Sequence, residues 1–115
     1  MGKALLAFQS RAAIDRVIDH GLKPFTTSTI IEPDRLRAEL ALVRERGYAI
    51  DDCEHQIWVR CVSAPIRNSS GHVFASLSVT GAAERMTHER LAQMAPLVIQ
   101  TADSVSRQLG YNAPA

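Results

Sequence analysis

Polar and apolar positions alternate with a period of two through residues 46–80, and the flanks on both sides carry helical spacing instead. The alternating stretch, RGYAIDDCEHQIWVRCVSAPIRNSSGHVFASLSVT, predicts one short strand, an acidic polar loop and two longer strands joined at Asn68-Ser69-Ser70-Gly71. Before it, residues 2–8 form a short apolar segment with Leu5, Leu6 and Phe8 to bury. Ser10 is placed to cap a second helix with Ile14, Val17 and Ile18 on one face, ending near Gly21. Residues 23–31 are threonine-rich and contain Pro24, which predicts an extended loop. Pro33 and Asp34 open a third helix with Leu36, Leu40 and Val43 on one stripe, and Gly47 ends it. Thr87 caps a long closing helix with Leu91, Met94, Ala95, Val98, Ala102, Val105 and Leu109 aligned. Pro96 lies inside that stripe and should kink the helix or split it in two. The pattern gives an α+β class: an antiparallel sheet with flanking helices in one domain over residues 1–110, and a disordered tail at 111–115.

The hairpin turn sets the register, and two arguments pull on it. If Asn68 pairs with Gly71, Cys61 faces Ser78, Val59 faces Thr80 and Ser63 faces Ser76. The other face then holds Ile66 with Val73, Ala64 with Ala75, Val62 with Leu77 and Arg60 with Val79. A three-residue turn with Gly71 as a left-handed bulge residue would instead pair Asn68 with His72 and shift the match by one. Local turn chemistry favours the bulge, because Ser-Ser is a poor central pair for the mirror-image turns. The one-residue shift mixes apolar and polar side chains on both faces, however, so burial favours the first register. That register gives a core face and a small-residue polar floor suited to a small polar ligand.

Composition narrows the function classes. A chain of 115 residues with 46% hydrophobic and 22% charged residues is an ordinary globular domain with a modest core. A net charge of +1 leaves no basic footprint for nucleic acid. No apolar run approaches the roughly 20 residues that span a bilayer, and the first ten residues do not form a secretory signal. Two cysteines, Cys53 and Cys61, fit free thiols in a reducing cytoplasm. Asp51, Cys61 and one of Cys53, Glu54 or His55 are possible zinc ligands, but their spacing matches no closed structural site. A nucleophilic Cys61 or Cys53 would need a base, for which His55 is the only neighbour in sequence, and nothing supplies an oxyanion hole. Against both stand plainer roles: Cys61 as packing, Asp51 and Asp52 as strand-end turn formers, and Cys53 to His55 as solvated loop.

Five motifs recur in a known order: GKALLA at 2–7, RGYAIDD at 46–52, VRCVSAPI at 59–66, LSVTG at 77–81 and ERMT at 84–87. By them the chain resembles the C-terminal effector-binding domain of IclR-type bacterial transcriptional regulators. The resemblance implies a profilin-like or GAF-like domain that binds a small metabolite, often an organic or aromatic acid, and acts as a homo-oligomer. It assigns ligand-binding roles to Asp51, Val59, Cys61, Ser78 and Thr80, with Gly2, and Lys3 beside it, as the remaining part of a wall that receives the acid group. Members of the family carry a winged helix-turn-helix and the first sheet strands ahead of the GKALLA motif. Their absence predicts a sheet incomplete on its N-terminal side and no operator binding by this chain alone. Trp58 stands where many similar domains have glycine, which predicts a narrowed or capped pocket.

Overall fold

Each helix begins where a capping residue is available. Ser10 Oγ accepts the Ala13 N–H at the start of helix α2 (Arg11–His20), and Thr87 Oγ1 accepts the Arg90 N–H at the start of α4 (His88–Gln108). Helix α3 (Pro33–Arg46) opens on Pro33, whose missing N–H costs nothing in a first turn, and closes on Gly47 at φ +84°. The first helix, α1, is a single short piece, Gly2–Leu6. The computed structural model describes residues 2–112. The strands are β1 (Ala49–Asp52), β2 (Val59–Arg67) and β3 (Val73–Ala82), in one antiparallel sheet of order β1-β2-β3.

The sheet buries both faces, against different helices. On one face Val62, Ala64 and Ile66 meet Leu91, Ala95, Val98 and Ala102 of α4. On the other, α1 lies across β2 and β3, and Ala4 and Ala7 join Ile14, Leu36, Leu40, Val43 and Ala49 in a second cluster. Helix α4 is not split: it runs unbroken through Pro96, which faces solvent together with Ala92, whose carbonyl loses a helical partner to the proline. Water can serve that carbonyl, so the helix continues. The α4 stripe also contains a polar member that an apolar pattern misses. Ser106, 1% exposed, donates its hydroxyl to the Ala102 carbonyl and accepts the Arg67 N–H at 2.9 Å. Tyr111, where the tail was expected to begin, donates its N–H to the Ser106 carbonyl, and its ring lies 5.7 Å from the Arg67 guanidinium. Residues 113–115 of that expected tail lie outside the described residues.

The hairpin register corrects the expected pairs. Asn68 N–H bonds to the His72 carbonyl, Gly71 takes φ +83°, and Asn68 Oδ1 accepts the N–H groups of Ser70 and His72. This is the three-residue turn that local chemistry favoured. Cys61 therefore pairs with Thr80 rather than Ser78, Ser63 with Ser78 rather than Ser76, and Val59 with Ala82 rather than Thr80. The faces nonetheless stay clean, because β3 carries an extra residue. Arg67 pairs with Val73 and Ile66 with Ala75, leaving Phe74 as a bulge residue, 53% exposed. The bulge adds a second one-residue shift, so the total displacement is even and no side chain changes face. Val62 now meets Val79 and Ala64 meets Leu77 under α4.

Candidate functional site

The face of the sheet turned away from α4 carries the expected site residues in two adjacent cross-strand rows. Asp51, Cys61 and Thr80 form one row; Ala49, Ser63 and Ser78 form the next. Val59 shares the face two residues from Cys61, by strand alternation. Cys61 is 6% exposed at the centre, Asp51, Val59 and Ser78 are half-buried, and Thr80 is exposed. The floor thus runs from a covered end at Ser63 to an open end at Thr80. Gly2 opens α1, which crosses the same face.

The loop 53–58 is held over the β1 end of this floor by bonds that sequence reasoning missed. Asp51 Oδ1 accepts the Glu54 N–H at 2.9 Å, and Glu54 Oε2 accepts the Asp52 N–H at 3.0 Å. The threonine-rich loop reaches across to the same segment: Thr26 Oγ1 donates to the Cys53 carbonyl at 2.6 Å, and Thr29 Oγ1 donates to the Glu54 carbonyl. The visible signal was the density of threonines at 26–29, whose hydroxyls have to find acceptors when a loop packs down. Lys3 is not left open to a ligand. Its ammonium meets Glu54 Oε2 at 2.9 Å, Glu39 Oε1 at 3.5 Å and the Ile50 carbonyl, so it ties α1 to α3 and β1.

Trp58 does not narrow the floor. It is 74% exposed with φ +68°, and its ring borders a separate cleft with Arg60 and Ala82 to Glu84. A left-handed backbone favours glycine, so a tryptophan is held here at a steric cost. The zinc grouping is also not assembled. Asp51 and Cys61 are cross-strand partners, but His55 is exposed and its ring lies tilted against Phe25, centroids 4.7 Å apart. Among the described residues no three His, Cys, Asp or Glu side chains converge.

On the opposite face of the sheet, Asp52 fastens the start of α4. Its carboxylate takes Arg60 Nε at 2.6 Å and His88 Nε2 at 2.8 Å, and Arg60 Nη1 also donates to the Ala83 and Met86 carbonyls. The Arg60 guanidinium, then the His88 imidazole, hold the Asp52 carboxyl down at about 2. A cleft of about 900 Å³ lies beside the floor and is mostly apolar, bordered by Leu6, Val17, Phe25, Ile30 and Phe74. Of the six expected ligand residues only Gly2 touches it.

Residues 1–107 match the family described as bacterial transcriptional regulator IclR, C-terminal. The chain belongs to that family. It is 34% identical over 114 residues to the HTH-type transcriptional repressor AllR of Salmonella typhi, covering 98% of this chain and 42% of the relative. The chain therefore spans less than half the length of that curated relative. Among solved structures, IclR of Thermotoga maritima superposes with a TM-score of 0.90 at 36% identity, over 96% of this chain and 45% of that one. A double-mutant inducer-binding domain of the PobR transcription factor from Acinetobacter, in complex with 3-hydroxybenzoic acid, superposes at 0.84 with 29% identity, covering 91% and 61%. AllR is a transcriptional repressor by name and PobR a transcription factor. Among the described residues no helix is long and apolar enough to cross a membrane.

Proposed function

We propose that this chain is the small-molecule-sensing part of a cytoplasmic transcriptional regulator, and that its effector is a small organic or aromatic acid. The observation that carries the reading is the half-open polar row Asp51–Cys61–Thr80 with Ser78 beside it, on a sheet otherwise buried by apolar side chains. Small-ligand sites are mostly apolar with a few converging polar groups that fix orientation, and the apolar cleft beside the row, which Gly2 borders, supports that combination. Here the acid group approaches α1 at Gly2, and a hydroxyl or keto oxygen meets Cys61, Ser78 and Thr80. Asp51, an acceptor with one oxygen already used by the Glu54 N–H, takes a ligand hydroxyl on the other. Val59 supplies an apolar edge. The ligand in the PobR domain complex, an aromatic hydroxy acid, supports the class.

We extend the proposal to a profilin-like or GAF-like arrangement of the sheet and to homo-oligomeric assembly. Edge strand β3 is ten residues long without a charge or a proline, and past the bulge at Phe74 nothing in its sequence discourages pairing with a second copy. DNA binding is not assigned to these residues. Thermal shift against a panel of short keto, hydroxy and aromatic acids tests the sensing role. At least one acid should raise the unfolding midpoint, and Ser78→Ala should shrink the rise; a flat response to the whole panel would sink the proposal.

A further inference from the structure

Ser63 stands at the covered end of the polar floor, 1% exposed, and its Oγ is the only buried side-chain oxygen among the described residues without a hydrogen-bond partner. It lies in register between Ala49 and Ser78, two residues along β2 from Cys61. An unpartnered buried hydroxyl weakens a fold relative to an alanine of nearly the same shape. Packing alone does not call for it, since Ala4, Ala7 and Ala49 are buried on this same side of the sheet. The equally buried Ser106 shows the ordinary solution, with both its donor and its acceptor used. An isolated orphan beside Cys61 and Ser78 has the character of a group that waits for a partner.

We infer that Ser63 is a further specificity-determining residue of the effector site, donating its hydroxyl hydrogen to an oxygen of the bound ligand. The inference rests on the sensing role proposed above and adds a requirement to it. The ligand must carry a second oxygen function besides its carboxylate, reaching past Cys61 to the Ser63–Ser78 row. Short hydroxy or keto acids and phenolic acids meet that requirement, and acids ending in plain hydrocarbon do not.

Calorimetry with matched probes tests it: lactate and pyruvate against propionate, and 3-hydroxybenzoate against benzoate. Wild type should prefer an oxygenated member by roughly tenfold, the worth of one hydrogen bond. Ser63→Ala should erase that preference, while its urea midpoint without ligand equals or exceeds that of wild type. Ser63→Cys, similar in size and a weaker donor, should fall between. If Ser63→Ala keeps the preference, or loses stability with affinity unchanged, or fails to fold, the serine is structural and the inference is overturned. If wild type binds none of the acids, the sensing role falls and takes the inference with it.

Discussion

Replacing Ser106 by alanine should destabilise the domain, although it puts a better helix former into a helix. Arg67 lies beyond the reach of β1, whose last pair is Ala49 with Ser63, and its N–H is met by Ser106 Oγ at 2.9 Å. The substitution leaves that half-buried donor without a partner, a loss of about 1–3 kcal/mol. The Ala102 carbonyl keeps its helical N–H, so its side is not orphaned. Higher helix propensity returns about 0.5 kcal/mol, and the partial exposure of Arg67 places the loss toward the lower end. The net is a loss of about 1 kcal/mol, or about 1 M in urea midpoint at a slope of about 1 kcal/mol/M. Thr101→Ala is the control. Its Oγ1 makes the same kind of bond, to the Leu97 carbonyl at 2.8 Å, but on the exposed side and with no second partner. Urea denaturation followed by circular dichroism should show the midpoint falling for Ser106→Ala and unchanged or slightly raised for Thr101→Ala. Equal shifts for the two variants would refute the claim that Ser106 serves the sheet.

Acid should weaken the fold through Asp52. Its carboxyl is depressed in the folded chain to about 2, so the stability it contributes is present above about pH 4 and is lost as the pH falls toward 2. With the side chain 43% exposed, solvent screening reduces that contribution to about 1 kcal/mol. The gap in urea midpoint between wild type and Asp52→Asn should hold from pH 7 to 5 and close between 4 and 2; a gap unchanged across the whole range would contradict the ion pair. Sedimentation velocity over a concentration series should show self-association, reduced by Phe74→Lys at the β3 edge, whereas a strict monomer at high concentration would mean the edge is not a contact surface.

Most of the architecture was legible because short-range rules and burial agreed. Ser10, Pro33, Gly47 and Thr87 mark helix ends by local hydrogen bonding alone, and α2, α3 and α4 start and stop there. The hairpin was legible only in part. Turn chemistry and burial each pointed to a different register, and the chain satisfies both by inserting Phe74, an option that no two-residue alternation displays. The polar face survived this because two one-residue shifts restore parity, so Cys61, Ser78 and Thr80 share a face with changed partners. What could not be read were contacts between segments far apart in sequence. Lys3 with Glu54, Thr26 with Cys53 and Ser106 with Arg67 are set by tertiary packing, and neither periodicity nor propensity encodes them. Trp58 was misjudged for the opposite reason: its bulk suggested a lid, whereas its left-handed backbone turns it to the surface.

The proposed sensing role requires the Asp51–Cys61–Thr80 row with Ser78 to hold a small organic acid. Isothermal titration of the chain with 3-hydroxybenzoate, lactate and pyruvate, alongside the Ser78→Ala/Thr80→Ala double variant, addresses it most directly. Wild type should show saturable one-site binding of at least one acid, and the double variant, with its fold retained, a loss of roughly tenfold or more in affinity. No binding by wild type, or equal binding by both proteins, would contradict that role.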